Sequence, residues 1–341
     1  MKKILVYPDY YSEFHCTADK CIDSCCEEWE IVVDDETAAL YEEVTGSIGE
    51  KLRSVMATDD EGDRIFTLED GRCPFLEKSG LCEIHRKLGE ECLCNTCREY
   101  PRAVQDCGDF AEYDLSLSCP EAARIILSKK NEPEYMETEA NVFYDEVCYD
   151  KGVMSFMKYA RRQLLDIIWD RSNTPSQAVE KCGKYSLCIQ EQLDKNEISD
   201  LPYSDDMPAA ENISYSGFSF TSLINSRLNG EILTHEFREM LEEALTLGEK
   251  PLSAPEYSEA KKAIDSYDDV YRQLCTHYIN RYWLRAAFDG EAAEKTFILI
   301  KAFAMLRRFA LAYYEKNKEL PFSAILRMVQ LYSKETEHNM D

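Results

Sequence analysis

No uninterrupted apolar run in this 341-residue sequence approaches the length of a membrane span. The most apolar stretch, Phe297 to Tyr314, is broken by Lys301, Arg307 and Arg308, whereas a spanning helix needs ~18 apolar residues. A core-facing helix is the simpler account of it, with peripheral attachment through an amphipathic face left open. The N-terminus also lacks a secretory core. Only Ile4, Leu5, Val6 and Tyr7 precede Pro8 and Asp9, against the roughly 7 to 15 apolar residues an export signal requires. The expected location is the cytoplasm, where thiols stay reduced.

Basic residues are scarce too. Lys and Arg number 39 against 65 Asp and Glu, a net charge of -26. The deficit is spread evenly, 15 basic against 29 acidic up to residue 130 and 24 against 36 beyond it. Such a surface repels phosphate backbones and argues against nucleic-acid binding. It attracts lysine-bearing partners, although much of the charge serves solubility. Several signatures are missing as well. There is no G-x-G-x-x-G, no P-loop and no C-x3-C-x2-C, so a Rossmann nucleotide site, an NTPase and the usual radical S-adenosylmethionine motif are all unsupported. The five histidines are scattered, with no spacing that recommends a Cys-His nucleophile.

What the chain does have is cysteine. Eleven of its 15 fall between residues 16 and 119, as Cys16, Cys21, Cys25 and Cys26, then Cys73 and Cys82, then Cys92, Cys94 and Cys97, then Cys107 and Cys119. In a reducing compartment, close-set thiols point to metal rather than to disulfides. Cys94-Asn95-Thr96-Cys97 is a two-ligand claw, and Cys73 to Cys82 frames a turn. The adjacent Cys25 and Cys26 diverge on regular backbone, so one packs while the other binds, or a loop presents both. Four thiolates make a structural zinc site, and four or more can hold a 4Fe-4S cluster. The spacings leave both open. His15 and His85 flank the groups as outer partners rather than ligands. Cys107, Cys148, Cys182, Cys188 and Cys275 read as small core hydrophobes.

With 45% hydrophobic and 11% aromatic residues the chain can bury a real core, and its length suits two domains. The expected fold is mainly α, a small irregular cysteine-rich metal-binding domain over residues 1–130 followed by an all-helical domain over 141–341. In the first, Trp29 to Val33 reads as a short strand. Asp34 and Asp35 then cap one helix running to Met56, weakened but not abolished by Gly46 and Gly49. Pro120 to Ser128 is a helix begun by proline. The polar, acidic stretch Asn131 to Asn141, with Pro133, reads as a linker. Beyond it, three- and four-residue apolar steps predict helices over residues 153–168, 176–195, 234–247, 255–288, 292–317 and 322–337, with 197–230 a long loop. The aromatics Tyr267, Tyr271, Tyr278, Tyr282 and Trp283 sit at helical spacing and are expected in the core.

The ordered series His15-Cys16, Cys21, Cys25-Cys26, Trp29, Cys73-Pro74-Phe75-Leu76, Gly80-Leu81-Cys82, Leu88-Gly89, Leu93 to Cys97, Tyr100-Pro101-Arg102 and Ser118-Cys119-Pro120-Glu121 resembles the flagellin lysine-N-methylase (FliB-type) family. More loosely, it is similar to small cysteine-rich zinc- or iron-chelating domains. The resemblance covers about the first 125 residues and rests on general character beyond them. It implies S-adenosylmethionine-dependent N-methylation of flagellin lysines with an iron-sulfur cluster, the alternative being a non-enzymatic zinc-binding interaction module. Carried over by position, the implied metal ligands are Cys16, Cys21, Cys25, Cys26, Cys73, Cys82, Cys94, Cys97 and Cys119, with Cys92 included only by proximity. Arg98 and Arg102 are the implied carboxylate-binding residues for the methyl donor, with pairing to local acids as their simpler role. The helical region is the expected surface for flagellin and for any homo-oligomer. No catalytic base stands out among its many acids.

Overall fold

Asp34 does cap a helix: its side chain accepts a hydrogen bond from the Thr37 amide. The computed structural model describes residues 2–141, 149–205, 207 and 219–337. Its strands are β1 (Lys2–Pro8), β2 (Met56–Thr58), β3 (Arg64–Phe66), β4 (Arg102–Asp106), β5 (Phe110–Leu115) and β6 (Tyr135–Asn141). The helices are α1 (Asp35–Glu43), α2 (Gly46–Val55), α3 (Glu83–Leu88), α4 (Asn95–Glu99), α5 (Pro120–Leu127), α6 (Lys151–Trp169) and α7 (Pro175–Lys195). They continue with α8 (Phe220–Leu228), α9 (His235–Leu245), α10 (Ser258–Asp265), α11 (Asp268–Tyr282), α12 (Ala286–Asp289), α13 (Ala292–Asn317) and α14 (Phe322–Thr336). The chain is mainly α-helical, as its periodicity predicts.

Four differences from the sequence reading have physical causes. The helix expected from Asp35 to Met56 is two helices, because Gly46 adopts φ +79 and turns the chain between α1 and α2. Arg53 donates to the carbonyls of Tyr41, Glu42 and Val44 and so closes the end of α1. Gly49 lies where a Cβ would sit 1.9 Å from the Val44 carbonyl oxygen. Gly49→Ala is therefore expected to cost about 1–3 kcal/mol, the range for forced overpacking, and a urea melt measures it directly. The Trp29 to Val33 run forms only an isolated bridge, Val32 to Ile65. The 255–288 segment breaks at Ser266 and Tyr267 so that α10 and α11 pack separately on α13. In the expected long loop, Ser219 caps α8, while residues 206 and 208–218 lie outside the described residues.

The fourth difference is a sheet of order β4-β5-β1-β6. β1 runs parallel to β5, with Leu5 opposite Ala111, and antiparallel to β6, with Lys2 opposite Asn141. The second half of the expected linker is thus an edge strand. Its side chains are mostly exposed, which is why its composition reads as loop.

Two buried clusters result. The smaller gathers Ile31, Val33, Tyr41, Leu52, Phe66 and Phe75 around Cys73 and Cys94. The larger joins Tyr10, Phe14 and the 107–127 segment to the helices, including Tyr271, Tyr278, Tyr282 and Trp283. α13 is buried along most of its length, and two of its charged interruptions find partners inside. Arg307 pairs with Asp265 at 2.6 Å, and Arg308 donates to the Lys250 carbonyl at 2.7 Å. Among the described residues no helix is long and apolar enough to cross a membrane.

Candidate functional site

Three cysteines occupy the same local position. Cys82, Cys94 and Cys119 are the extended residues that begin α3, α4 and α5. A residue there faces the unpaired N–H groups of the first helical turn, which favours a negative charge. Around Cys82 these are the N–H groups of Ile84 and His85, and around Cys119 those of Glu121 and Ala122. Cys73 is brought alongside Cys26 by the bond from its amide to the Cys26 carbonyl, 2.8 Å. The turn from Cys73 to Cys82 is closed by the Leu76–Cys82 bridge and by the bond from the Glu83 amide to the Phe75 carbonyl, 2.8 Å. α4 is fastened to the segment before α1 by the Asn95 amide on Asp34, 2.8 Å, and by the Thr96 hydroxyl on the Val32 carbonyl, 2.8 Å.

The thiols so placed feel one another. Cys25 is held down at about 7, chiefly by the hydrogen bond from Cys26, whose own thiol is pushed up by donating it. Cys94 and Cys97 repeat the arrangement, Cys94 lowered and Cys97 raised. Burial pushes Cys73 up to about 11, with the charges of Cys82, Cys94 and Cys25 adding to it. Burial likewise raises Cys82 and pushes Cys119 up to about 12, against the pull of their facing N–H groups. Cys25, Cys26, Cys73, Cys82, Cys94 and Cys97 therefore form a set linked by electrostatic influence, and Cys119 feels Cys21 and Cys25. Cys16 stands apart and exposed, accepting from the Ala18 amide at 3.4 Å. The carbonyl of Cys92 accepts from Tyr41 at 2.8 Å.

Soft thiols drawn from several chain segments are the donor type that zinc or an iron-sulfur cluster takes, so the donor set fits such a group in chemistry. Among the described residues, no three Cys, His, Asp or Glu side chains are placed to hold a metal ion together. His15 and His85 are exposed at the periphery. Of the cysteines expected in the core, Cys107, Cys182 and Cys275 are buried and Cys188 is half-buried, while Cys148 lies outside the described residues.

The cysteine loop is bolted to α14. Asp23 meets Lys334 at 3.0 Å, Arg327 at 2.8 Å and Gln330 at 2.8 Å. Burial alone would raise the Asp23 carboxyl, but Lys334, the Ser24 amide and Arg327 together hold it below its ordinary value. Lys334 is itself buried, 5.1 Å above the Trp29 ring and 3.4 Å from Glu28. Gln330 also donates to the Ser118 carbonyl, 2.9 Å, next to Cys119.

Beside the thiols lies a cavity of about 420 Å³ between β4, β5 and the end of α11. Tyr100 is the shared wall. It lines the cavity, packs edge-on against Trp29 at 5.4 Å, and is raised by burial and then by the charge of Cys119. Arg102 lines the same space with its guanidinium 5.4 Å from the Phe14 ring. Arg98 does not line it; it contacts Asn95 and pairs with Glu99 at 3.5 Å on α4. The cavity also contains Gln105, Asp114, Asn280, Arg281 and Arg285, none of which the sequence reading selected. The only local signal was the i, i+4 spacing of Arg281 and Arg285 after a tyrosine-rich helix, easily absorbed into a core stripe.

A buried polar relay leads from this wall into the helices. Tyr100 contacts the Ser118 hydroxyl at 3.1 Å, Ser118 contacts Ser116 at 2.7 Å, and Ser116 donates to Glu337 at 2.7 Å. Glu337 lies 3.5 Å from His277, which lies 3.2 Å from Asp114 on the cavity wall. Tyr10 donates to the other oxygen of Asp114 at 2.7 Å.

Comparison with known proteins gives one consistent answer. The sequence profile of the FliB lysine N-methylase C-terminal domain matches residues 161–341, the region whose motifs are least legible. The flagellar biosynthetic protein FliU of Salmonella muenchen is 30% identical over 151 residues, 40% of this chain and 83% of that protein. Lysine-N-methylases of Salmonella typhimurium and Salmonella choleraesuis are each 30% identical over 151 residues, 40% of this chain. The matched stretch spans 35% of the length of these two lysine-N-methylases. No solved structure matches. With more than half of its residues under the family profile, the chain belongs to the FliB lysine N-methylase family of lysine methyltransferases.

Proposed function

We propose that this chain methylates lysine side chains of flagellin, using S-adenosylmethionine as donor and an iron-sulfur cluster held by the thiol centre. The observation that carries the reading is the gathering of thiols from several chain segments beside Tyr100, which feels Cys119 and Cys25 and also lines a cavity. Cys25, Cys26, Cys73, Cys82, Cys94 and Cys97 are the residues that would hold the cluster, with Cys119 at its margin. When bound, such a cluster would supply Lewis-acidic, redox-active iron beside Tyr100.

The chain's own residues have separate tasks. In the transfer, the lysine Nζ lone pair forms a bond to the methyl carbon as the carbon–sulfonium bond breaks, releasing a thioether. The amine must first be neutral, against an ordinary pKa of about 10.4. The acidic surface draws lysine-bearing segments in. Flagellin as the acceptor is supported by the flagellar name of FliU. The helical unit would provide the protein-binding surface in the cytoplasm.

The test is anaerobic purification with iron, sulfide and zinc analysis, followed by mass spectrometry of flagellin incubated with the donor. Broad absorption near ~400 nm with matching iron and sulfide, and +14 Da steps on flagellin lysines, is the expected result. Stoichiometric zinc, no visible absorption and unmodified flagellin would leave the interaction-module alternative in its place.

A further inference from the structure

We propose that Gln105, Arg102, Arg281 and Arg285 form the pocket for the methyl donor, the amide reading the adenine edge and the guanidinium groups the amino-acid carboxylate. The assignment rests on the methyl-transfer reading above and deepens it.

Gln105 carries the first part of the argument. Both polar atoms of its side chain are buried on the cavity wall, and neither has a hydrogen-bond partner. Folded chains rarely leave a buried amide unsatisfied, because the desolvation is not returned. A ligand that completes it resolves the cost. A glutamine amide offers one acceptor and a donor in a single plane, the complement of the adenine edge with its exocyclic amine and adjacent ring nitrogen.

Charge carries the second part. In a chain of net charge -26, this cavity collects three arginines against two carboxylates. Both carboxylates are engaged by protein. Glu112 takes a two-pronged contact from Arg161 at 2.6 Å, and Asp114 is shared by Tyr10 and His277. Three guanidinium groups on one small surface suit a ligand with an anionic group, which a planar guanidinium can grip. The aromatic walls suit a base. Tyr100 is backed by Trp29, and Tyr113 is stacked on Tyr7 at 4.6 Å. A volume of about 420 Å³ falls in the range of small-molecule sites. A nucleoside joined to an α-amino acid has each of these features.

The pocket is composite. Arg102 and Gln105 come from β4, while Arg281 and Arg285 come from the end of α11 and the turn after it. Neither the cysteine-rich segment nor the helices can form it alone.

Isothermal titration of the whole chain with S-adenosylhomocysteine, adenosine and ATP tests the assignment. The wild type should bind S-adenosylhomocysteine. Gln105→Ala should weaken both S-adenosylhomocysteine and adenosine about tenfold to hundredfold, with a melting temperature unchanged or higher because an unsatisfied amide is removed. Arg285→Ala should weaken S-adenosylhomocysteine and spare adenosine. If wild type and Gln105→Ala bind S-adenosylhomocysteine equally, the donor lies elsewhere and this assignment falls while methyl transfer stands. If the wild type binds ATP but not S-adenosylhomocysteine, the cavity is a phosphate site, and the donor reading falls with it.

Discussion

Cys94→Ala is expected to abolish lysine methylation and strip most of the iron from the proposed cluster site, whereas Cys107→Ala keeps both. The two cysteines are equally buried, at 1% and 0% exposure, so burial does not separate them. Their surroundings do. Cys94 begins α4, accepts a hydrogen bond from Cys97 and acts electrostatically on Cys73 and Cys82. Cys107 lies between β4 and β5 in the larger core, where burial pushes it up to about 12 beside Glu112 rather than beside other thiols. Even residues outside a metal's ligand shell cost about 10- to 100-fold in affinity or activity when lost. A ligand should cost at least the upper figure. The cysteine-rich unit should loosen as well, since Cys94 sits in its small core and metal binding is folding energy in such units. Iron analysis, a methylation assay and limited proteolysis of both variants read the three consequences. Equal iron in Cys94→Ala and wild type would remove Cys94 from the proposed ligand set.

The contrast between these cysteines marks where sequence reasoning reaches. Short spacing made Cys94 and Cys97 legible as a pair, and the distance of Cys107 from any group marked it as core. Helices with a clear apolar period, such as α6 and α13, were legible for the same local reason. What was hidden is non-local. β1 pairs with β5 across a hundred residues and with β6 across still more, and nothing in Lys2–Pro8 announces a partner. The cavity was hidden because its walls come from β4 and the end of α11. Gln105 has no signature in a sequence, since an unsatisfied amide exists only in three dimensions. Arg98 and Arg102 looked equivalent along the chain. The turn between α4 and β4 sends only Arg102 to the cavity. Nothing in the spacing of the five histidines singles out His277, because its two carboxylate neighbours lie far away in sequence.

Raising the pH from about 6.5 to above 9 is expected to cost the wild type about 3 kcal/mol of stability through His277 alone, and His277→Gln should not show this loss. Burial by itself would depress this fully enclosed imidazole. Asp114 and Glu337 on either side reverse that and push it up to about 9. The folded state therefore holds its proton more tightly than the unfolded chain. That stabilisation is complete below the ordinary histidine value near 6.5 and vanishes as pH climbs through 9. Glu337 responds in the opposite sense. Burial would raise it, but His277 and Arg281 hold it down at about 2, so its contribution is present above about 4.5 and fades as pH falls toward 2. Tyr10 and Ser116 complete the surroundings as hydrogen-bond donors to the two carboxylates. At neutral pH, removing the imidazole leaves Asp114 and Glu337 facing each other without their cation, a break worth about 3–5 kcal/mol in buried networks. Urea melts of wild type and His277→Gln from pH 6 to 10 at fixed ionic strength measure both effects. A parallel alkaline decline in the two proteins would show that other groups govern it. A wild-type decline that the variant lacks would identify His277 as the charge joining β5, α11 and the end of α14. Because Asp114 is one of its anchors and also lines the cavity, the proton on His277 would then fix a wall of the proposed donor site from inside the core.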